Sequence, residues 1–219
     1  MNKSHLINSN IFNILKEFLE HTLGTVGFER LKELLPTTER LLLHKDHHDK
    51  EWLNARSFSI ILAAIDIHLT HQISGFGVQF GRYLINVNKK SFADQLAGKN
   101  GESGLKLLQN IFSWNSENSP DFFQTCNYLF QMLQENQNWF KPFKIIQGDK
   151  ITEEEFHIIL EKRPVIIPLF CEIFIGFLLE LLNMLKAGHI TVMEEQCITD
   201  GHDACVFSLF KESSQVDFI

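Results

Sequence analysis

Tyrosine is almost missing from this chain: 2 Tyr stand beside 20 Phe in 219 residues. Rings without hydroxyls make for apolar packing, or an apolar pocket, with few polar handles. Blocks of lysine or arginine are missing too, and the formal net charge is -7. A phosphate-binding surface needs clustered cations, so nucleic acid is not an expected partner. The first residues, MNKSHLINSNIF, hold no unbroken apolar stretch and no cleavage site, so no secretory signal is read there. A cytoplasmic, reducing setting is therefore expected. In it the four cysteines are core thiols, reactive thiols or metal ligands rather than a disulfide framework. None of GxGxxG, the P-loop, GxSxG or HExxH occurs. Nothing here points to catalysis, and the expectation is that the chain is not an enzyme.

What is present is enough apolar residue for a core. Composition is 44% apolar and 21% charged, which suits a globular protein and opposes disorder. The longest apolar stretch runs from Pro164 to Leu185, yet it carries Glu172, Glu180 and Asn183. A carboxylate near the centre of a bilayer costs roughly 2.5–3.5 kcal/mol. A helix buried in a core is expected there rather than a membrane span.

Periodicity divides the chain into a helical part and a mixed part. Ile11, Ile14, Leu15, Phe18, Leu19 and Leu23 keep a helical spacing, with a break expected at Gly24 and a second short helix ending at Pro36. Trp52 to about Thr70 reads as a helix with Phe58, Ile61, Leu62, Ile65 and Leu69 on one face, and a shorter helix is expected around Val78–Leu84. AGKNGESG (97–104) reads as a loop, with helices over Leu105–Trp114 and Asp121–Glu135 on either side of SENSP. Beyond it, 142–148, 156–163, 189–197 and 204–210 read as strands around a long helix near 168–186, with a helix equally open for 156–163, and Asp200-Gly201 marks a hairpin turn. The expected fold class is α+β: N-terminal helices packed on a C-terminal antiparallel sheet with a long buried helix, in a single domain over 1–219.

One constellation carries ligand chemistry. Glu194 and Cys197 lie on one arm of the expected hairpin, Cys205 lies on the other, and Cys171 sits on the long helix before it. Three thiolates and a carboxylate are a donor set that tetrahedral zinc accepts. Spacing alone leaves a second reading open, in which these cysteines are small buried apolar residues. His44, Asp46, His47, His48 and Asp49 make another cluster, but they stand among lysines and read as a solvated loop; His68 and His71 read as surface residues, and Glu153, Glu154 and Glu155 as a solvated entry to a strand.

Cys171 with Gly176 on one helix, Glu194-x-x-Cys197 on a strand, and Gly201-His202-Asp203-Ala204-Cys205 on the next resemble the 4-vinyl reductase domain, as in the sensory domain of phenol- and toluene-responsive activators. The resemblance is specific over 164–210, within a region of 138–210. It implies a structural zinc held by Cys171, Glu194, Cys197 and Cys205. The wider superfamily includes the haem-based H-NOX sensors and the small tethering (TRAPP-type) subunits of Golgi traffic, and IFNILKEFLEHTLGTVGFERL and FGRYL are loosely similar to H-NOX. An H-NOX haem requires a proximal His on a central helix and a Tyr-x-Ser-x-Arg motif. Here only Arg163 of that motif is kept, and Phe112 or Phe130 stands where the ligand would be. Haem is not expected.

The resemblance implies a ligand-binding sensory module. Its pocket for a small hydrophobic or aromatic molecule is expected between the long helix and the late strands, lined by Phe170, Phe174 and Phe177, closed by Trp139 and Phe143, with His157 as a polar handle. The same side chains also suit a solid core. The alternative function is an assembly module like the tethering subunits. No output domain follows before Ile219, so a sensor of this kind is expected to signal in trans to a protein partner, with a homodimer as a further arrangement.

Overall fold

Helical spacing of large apolar residues builds the first half of the molecule, and alternation builds the second. The computed structural model describes residues 6–48, 51–71, 73–99, 122–135, 145–147, 155–161, 167–185, 187 and 190–211. Helix α1 (Asn10–Leu34) buries Ile11, Phe12, Ile14, Leu15, Phe18 and Leu19, and it is interrupted at Gly24, as the sequence leads one to expect. After Pro36, Thr37–His44 forms helix α2, which takes in the first histidine of the run read as a solvated loop. Strand β1 (Leu6–Asn8) pairs antiparallel with β2 (Trp52–Asn54), so the helix expected from Trp52 begins later. The Asn54 side chain accepts a hydrogen bond from the Arg56 amide and starts α3 (Ala55–Leu69), which buries Phe58, Ile61, Leu62, Ile65 and Leu69. Helix α4 (Phe76–Lys99) is far longer than the turn or two expected around Val78–Leu84, and it takes in 97–99, which composition assigns to a loop. Helix α5 is Phe122–Glu135. The helix expected over Leu105–Trp114 lies outside the described residues.

In the second half, β3 (Ile145–Gln147), β4 (Glu155–Glu161), β5 (Ile190–Gln196) and β6 (Ala204–Lys211) form one antiparallel sheet in the order β3-β4-β6-β5. Strand β4 alternates strictly. Phe156, Ile158 and Leu160 are buried on the core face, and Glu155, His157, Ile159 and Glu161 face the other way. Helix α6 (Pro168–Met184) starts on a proline, which costs nothing where the amide has no helical partner. It buries Phe170, Phe174 and Phe177. No helix among the described residues is long and apolar enough to cross a membrane.

Helix α6 lies between α4 and the sheet, and glycines set its distance from α4. A β-carbon on Gly81 would run into the Ile173 carbonyl and stand 2.7 Å from the Phe177 amide nitrogen; one on Gly176 would run into the Val78 carbonyl. Gly77 lies against the Glu172 side chain in the same way. The two helices therefore touch backbone to backbone, by the Gly-x-x-x-Gly device that lets helices approach closely. No ligand fits between them at that crossing. On its other side α6 meets the sheet ring against ring, with Phe174 and Phe207 centroids 4.9 Å apart and Phe174 stacked on Phe177 at 6.3 Å.

Candidate metal centre

The site is built where the head of α6 meets the β5–β6 hairpin. Cys171 sits in the first turn of α6. Glu194 lies near the end of β5, and Cys197 follows it in extended backbone before a short 3-10 turn, Ile198–Asp200. Gly201 closes that turn at φ 94°, a left-handed conformation that glycine adopts without strain. Cys205 is the second residue of β6. In a regular strand, residues three apart face opposite sides. A β-bulge between Glu194 and Gln196 shifts the β5–β6 register by one and restores the parity, so Glu194 and Cys197 reach the same point.

The four donor atoms lie within 4.8 Å of one another. The Cys171 Sγ is 3.6 Å from that of Cys197 and 3.5 Å from that of Cys205, and the Cys197–Cys205 pair is at 4.0 Å. A disulfide needs about 2.05 Å, so no pair is bonded. Four thiolate-type ligands at about 2.3 Å from a tetrahedral ion are spaced about 3.8 Å apart, which is the spacing seen here. All three cysteines are buried. One carboxylate oxygen of Glu194, Oε1, is buried with no hydrogen-bond partner, and an orphaned acceptor of that kind costs roughly 1–3 kcal/mol, more if charged. The donor set, the spacing and the orphaned oxygen all fit a tetrahedral soft-to-borderline ion.

The buried thiols shift one another. The Cys171 thiol is pushed far up by its hydrogen bond to Cys205, by burial and by the Glu194 carboxylate. Burial raises Cys197. Cys205 goes the other way, to about 7, because Cys171 donates to it and the Ile198 amide donates to its sulfur at 3.5 Å. The fourth cysteine, Cys126, stands apart on α5, with its thiol raised to about 12 by burial, which makes it a poor nucleophile.

The expected pocket residues divide. Phe170, Phe174 and Phe177 are buried together on α6. Trp139 and Phe143 lie outside the described residues. His157 does not join them: the alternation of β4 puts it on the opposite face of the sheet, so it cannot serve as a polar handle in a pocket against α6. There its Nε2 meets Glu155 Oε1 at 2.8 Å and Glu195 Oε2 at 3.8 Å. Glu155 is likewise half-buried strand, not a solvated entry. The signal was in the sequence, since Glu155 and His157 are two apart in an alternating strand.

The His44–Asp49 run also holds a surprise. His47 is buried, with its ring Nε2 2.8 Å from the Leu42 carbonyl and Nδ1 3.4 Å from Glu51, while its backbone is clamped at both ends by the Asn13 amide. It ties α1 to the segment before β2, where sequence composition suggests a solvated loop. His68 and His71 are exposed, as expected.

Haem is poorly served by this chain. No histidine occurs between His71 and His157 in the sequence. Among the described histidines only His47 is buried, and its ring is spent on Leu42 and Glu51. A histidine-ligated haem does not fit the residues present.

The architecture is α+β, and solved structures share it. No protein-family model matches the chain, and no curated protein matches it in sequence. Solved structures match over nearly its whole length. An unliganded Fe(II) H-NOX protein from K. algicida is similar at 10% identity and a TM-score of 0.64, covering 97% of this chain and 100% of that one. An H-NOX protein from S. oneidensis in the Fe(II)NO state is similar at 14% identity and a TM-score of 0.59, covering 94% and 100%. A structure described as probing haem distortion in the H-NOX family is similar at 14% identity and a TM-score of 0.61, covering 97% and 99%. At these identities the likeness establishes the fold.

Proposed function

We propose that this chain is a sensory module of H-NOX fold in which a zinc ion, rather than a haem, organises the sheet and α6, and in which the apolar interior receives a small hydrophobic or aromatic molecule. The observation that carries the reading is the Cys171–Glu194–Cys197–Cys205 cluster, at the sulfur spacing that tetrahedral coordination requires and with an orphaned carboxylate oxygen. The motif over 164–210 that resembles the 4-vinyl reductase domain supports zinc as the ion. The metal would be structural: four protein ligands leave no open position for a reacting molecule. It would fix the head of α6 to the hairpin, and a ligand packed against α6 would then act on a held element. The output would pass in trans to a protein partner, without catalysis by this chain.

Elemental analysis of protein purified without chelator tests the metal. The reading requires about one zinc per chain, and its absence would overturn it. A thermal-shift screen with small aromatic and lipid-like compounds tests the ligand. One observation favours a second reading: Phe174, Phe177 and Phe207 are packed ring against ring. A filled interior suits an assembly module of the tethering-subunit kind. If no apolar compound raises the melting temperature, that reading takes its place.

A further inference from the structure

A second cluster lies on the opposite face of the sheet, and different residues build it. Glu155, His157 and Glu195 offer three ligand atoms within 4.8 Å of one another. Glu155 and His157 belong to β4 and Glu195 to β5, the two strands that flank β6. On β6, Ser208 stands directly across from His157 of β4 and from Met193 of β5, two residues before Glu195, and it shares the face of His157. Ser208 is 0% exposed, and its hydroxyl oxygen has no hydrogen-bond partner. Buried hydroxyls are almost always satisfied, so one left bare on the face of His157 marks a missing partner.

We propose that Glu155, His157 and Glu195 form a cation site that takes a divalent first-row transition ion through one imidazole nitrogen and two carboxylates, above the Ser208 hydroxyl. Both carboxylates converge on the same atom, His157 Nε2, at 2.8 and 3.8 Å. A ring nitrogen carries one proton and satisfies one of them. A divalent ion placed between all three neutralises both acids at once, and ligands at about 2.1 Å around such an ion are spaced about 3.0–3.4 Å apart, between the two observed distances. One nitrogen and carboxylate oxygens suit manganese, iron, zinc or nickel rather than soft ions. A water on the ion is what the Ser208 hydroxyl lacks. The side chains of Glu155, His157 and Glu195 are 18%, 12% and 35% exposed, partly withdrawn from solvent yet reachable by it. The β4–β6 ladder fixes Glu155, His157 and Ser208, and Glu195 stands at the β5 bulge between two paired residues.

The site stands independently of the thiolate centre but lies behind it. Glu194 and Glu195 are consecutive at the β5 bulge and serve opposite faces. An ion on the outer face would hold the bulge that aims Glu194 at the thiols.

Manganese is the probe, because a hard ion has little affinity for thiolates and the result does not depend on what the thiolate centre holds. The expected result is that the full chain quenches the free Mn2+ electron paramagnetic resonance signal at one equivalent, and that zinc releases the manganese. His157→Gln and Glu195→Gln should each weaken uptake at least tenfold, with circular dichroism unchanged. Ser208→Ala should weaken it several-fold, and Glu161→Gln, further along the same face of β4, should not. A free-ion signal undiminished at millimolar metal in the wild type, or equal quenching by His157→Gln, would overturn the proposal.

Discussion

Replacing Gly81 with alanine sets two opposite effects against each other. In an exposed helix interior, glycine to alanine stabilises by about 0.8–1.0 kcal/mol through helix propensity. Here the added β-carbon would stand 2.7 Å from the Phe177 amide nitrogen and 2.9 Å from the Ile173 carbonyl carbon, and closer still to its oxygen, where ordinary contacts are 3.4–4 Å. These are backbone atoms of a buried helix and no rotamer relieves them. Helices α4 and α6 must part by about 1 Å, and a gap of that size forfeits up to half of each dispersion contact across the interface. Overpacking of a well-filled core costs about 1–3 kcal/mol, occasionally more, and separation of a whole crossing belongs at the upper end. After the propensity gain is subtracted, a net loss of about 2 kcal/mol remains. For a domain of this size that lowers the melting temperature by about 4–8 °C. Thermal unfolding followed by circular dichroism measures it, with Gly176→Ala as an independent probe of the same crossing. An unchanged or raised melting temperature in Gly81→Ala would refute the backbone-to-backbone packing.

Other consequences follow from the proposed metal centre and the core. Cys197→Ala leaves two thiols and a carboxylate buried without their fourth partner, so it should cost roughly 3–5 kcal/mol in denaturant unfolding and abolish bound zinc. Chelation of the wild type should lower its stability towards that of the mutant, and a stable, metal-free wild type would speak against a structural ion. Protein made with ample haem should show no Soret band; a band lost on mutating one histidine would contradict the reading of His47 and of the histidine-free stretch from 72 to 156. Phe177→Ala should cost roughly 3–5 kcal/mol if the interior is filled. A much smaller loss, with a changed set of compounds that raise the melting temperature, would instead identify the space beside α6 as a ligand pocket.

The buried helix, the hairpin at Gly201 and the α+β order are legible in the sequence because local rules set them: an apolar stretch with two carboxylates, a turn dipeptide, and helices before strands. Chemistry and motif pick out Cys171, Glu194, Cys197 and Cys205 as candidate ligands, and the structure brings those four side chains together. What could not be read is the bulge that corrects the parity of Glu194 and Cys197, since a bulge depends on the register with β6 and not on β5 alone. The face of His157 follows from the alternation of β4, which puts it opposite Phe156, Ile158 and Leu160 and away from α6. The glycine crossing was hidden for a different reason. Gly77, Gly81 and Gly176 are each ordinary in their own helices, and only the pairing of α4 with α6, nearly a hundred residues apart, gives them a purpose. His47 was misread because its partners, Asn13 and Leu42, are contributed by other elements.

Native mass spectrometry of the full chain, freshly purified without chelator, bears most directly on the proposed zinc centre. The expected spectrum shows each chain carrying one zinc, with no haem, and the zinc mass absent from Cys197→Ala. Chains at the bare polypeptide mass with folded charge states, or chains carrying a haem, would contradict it.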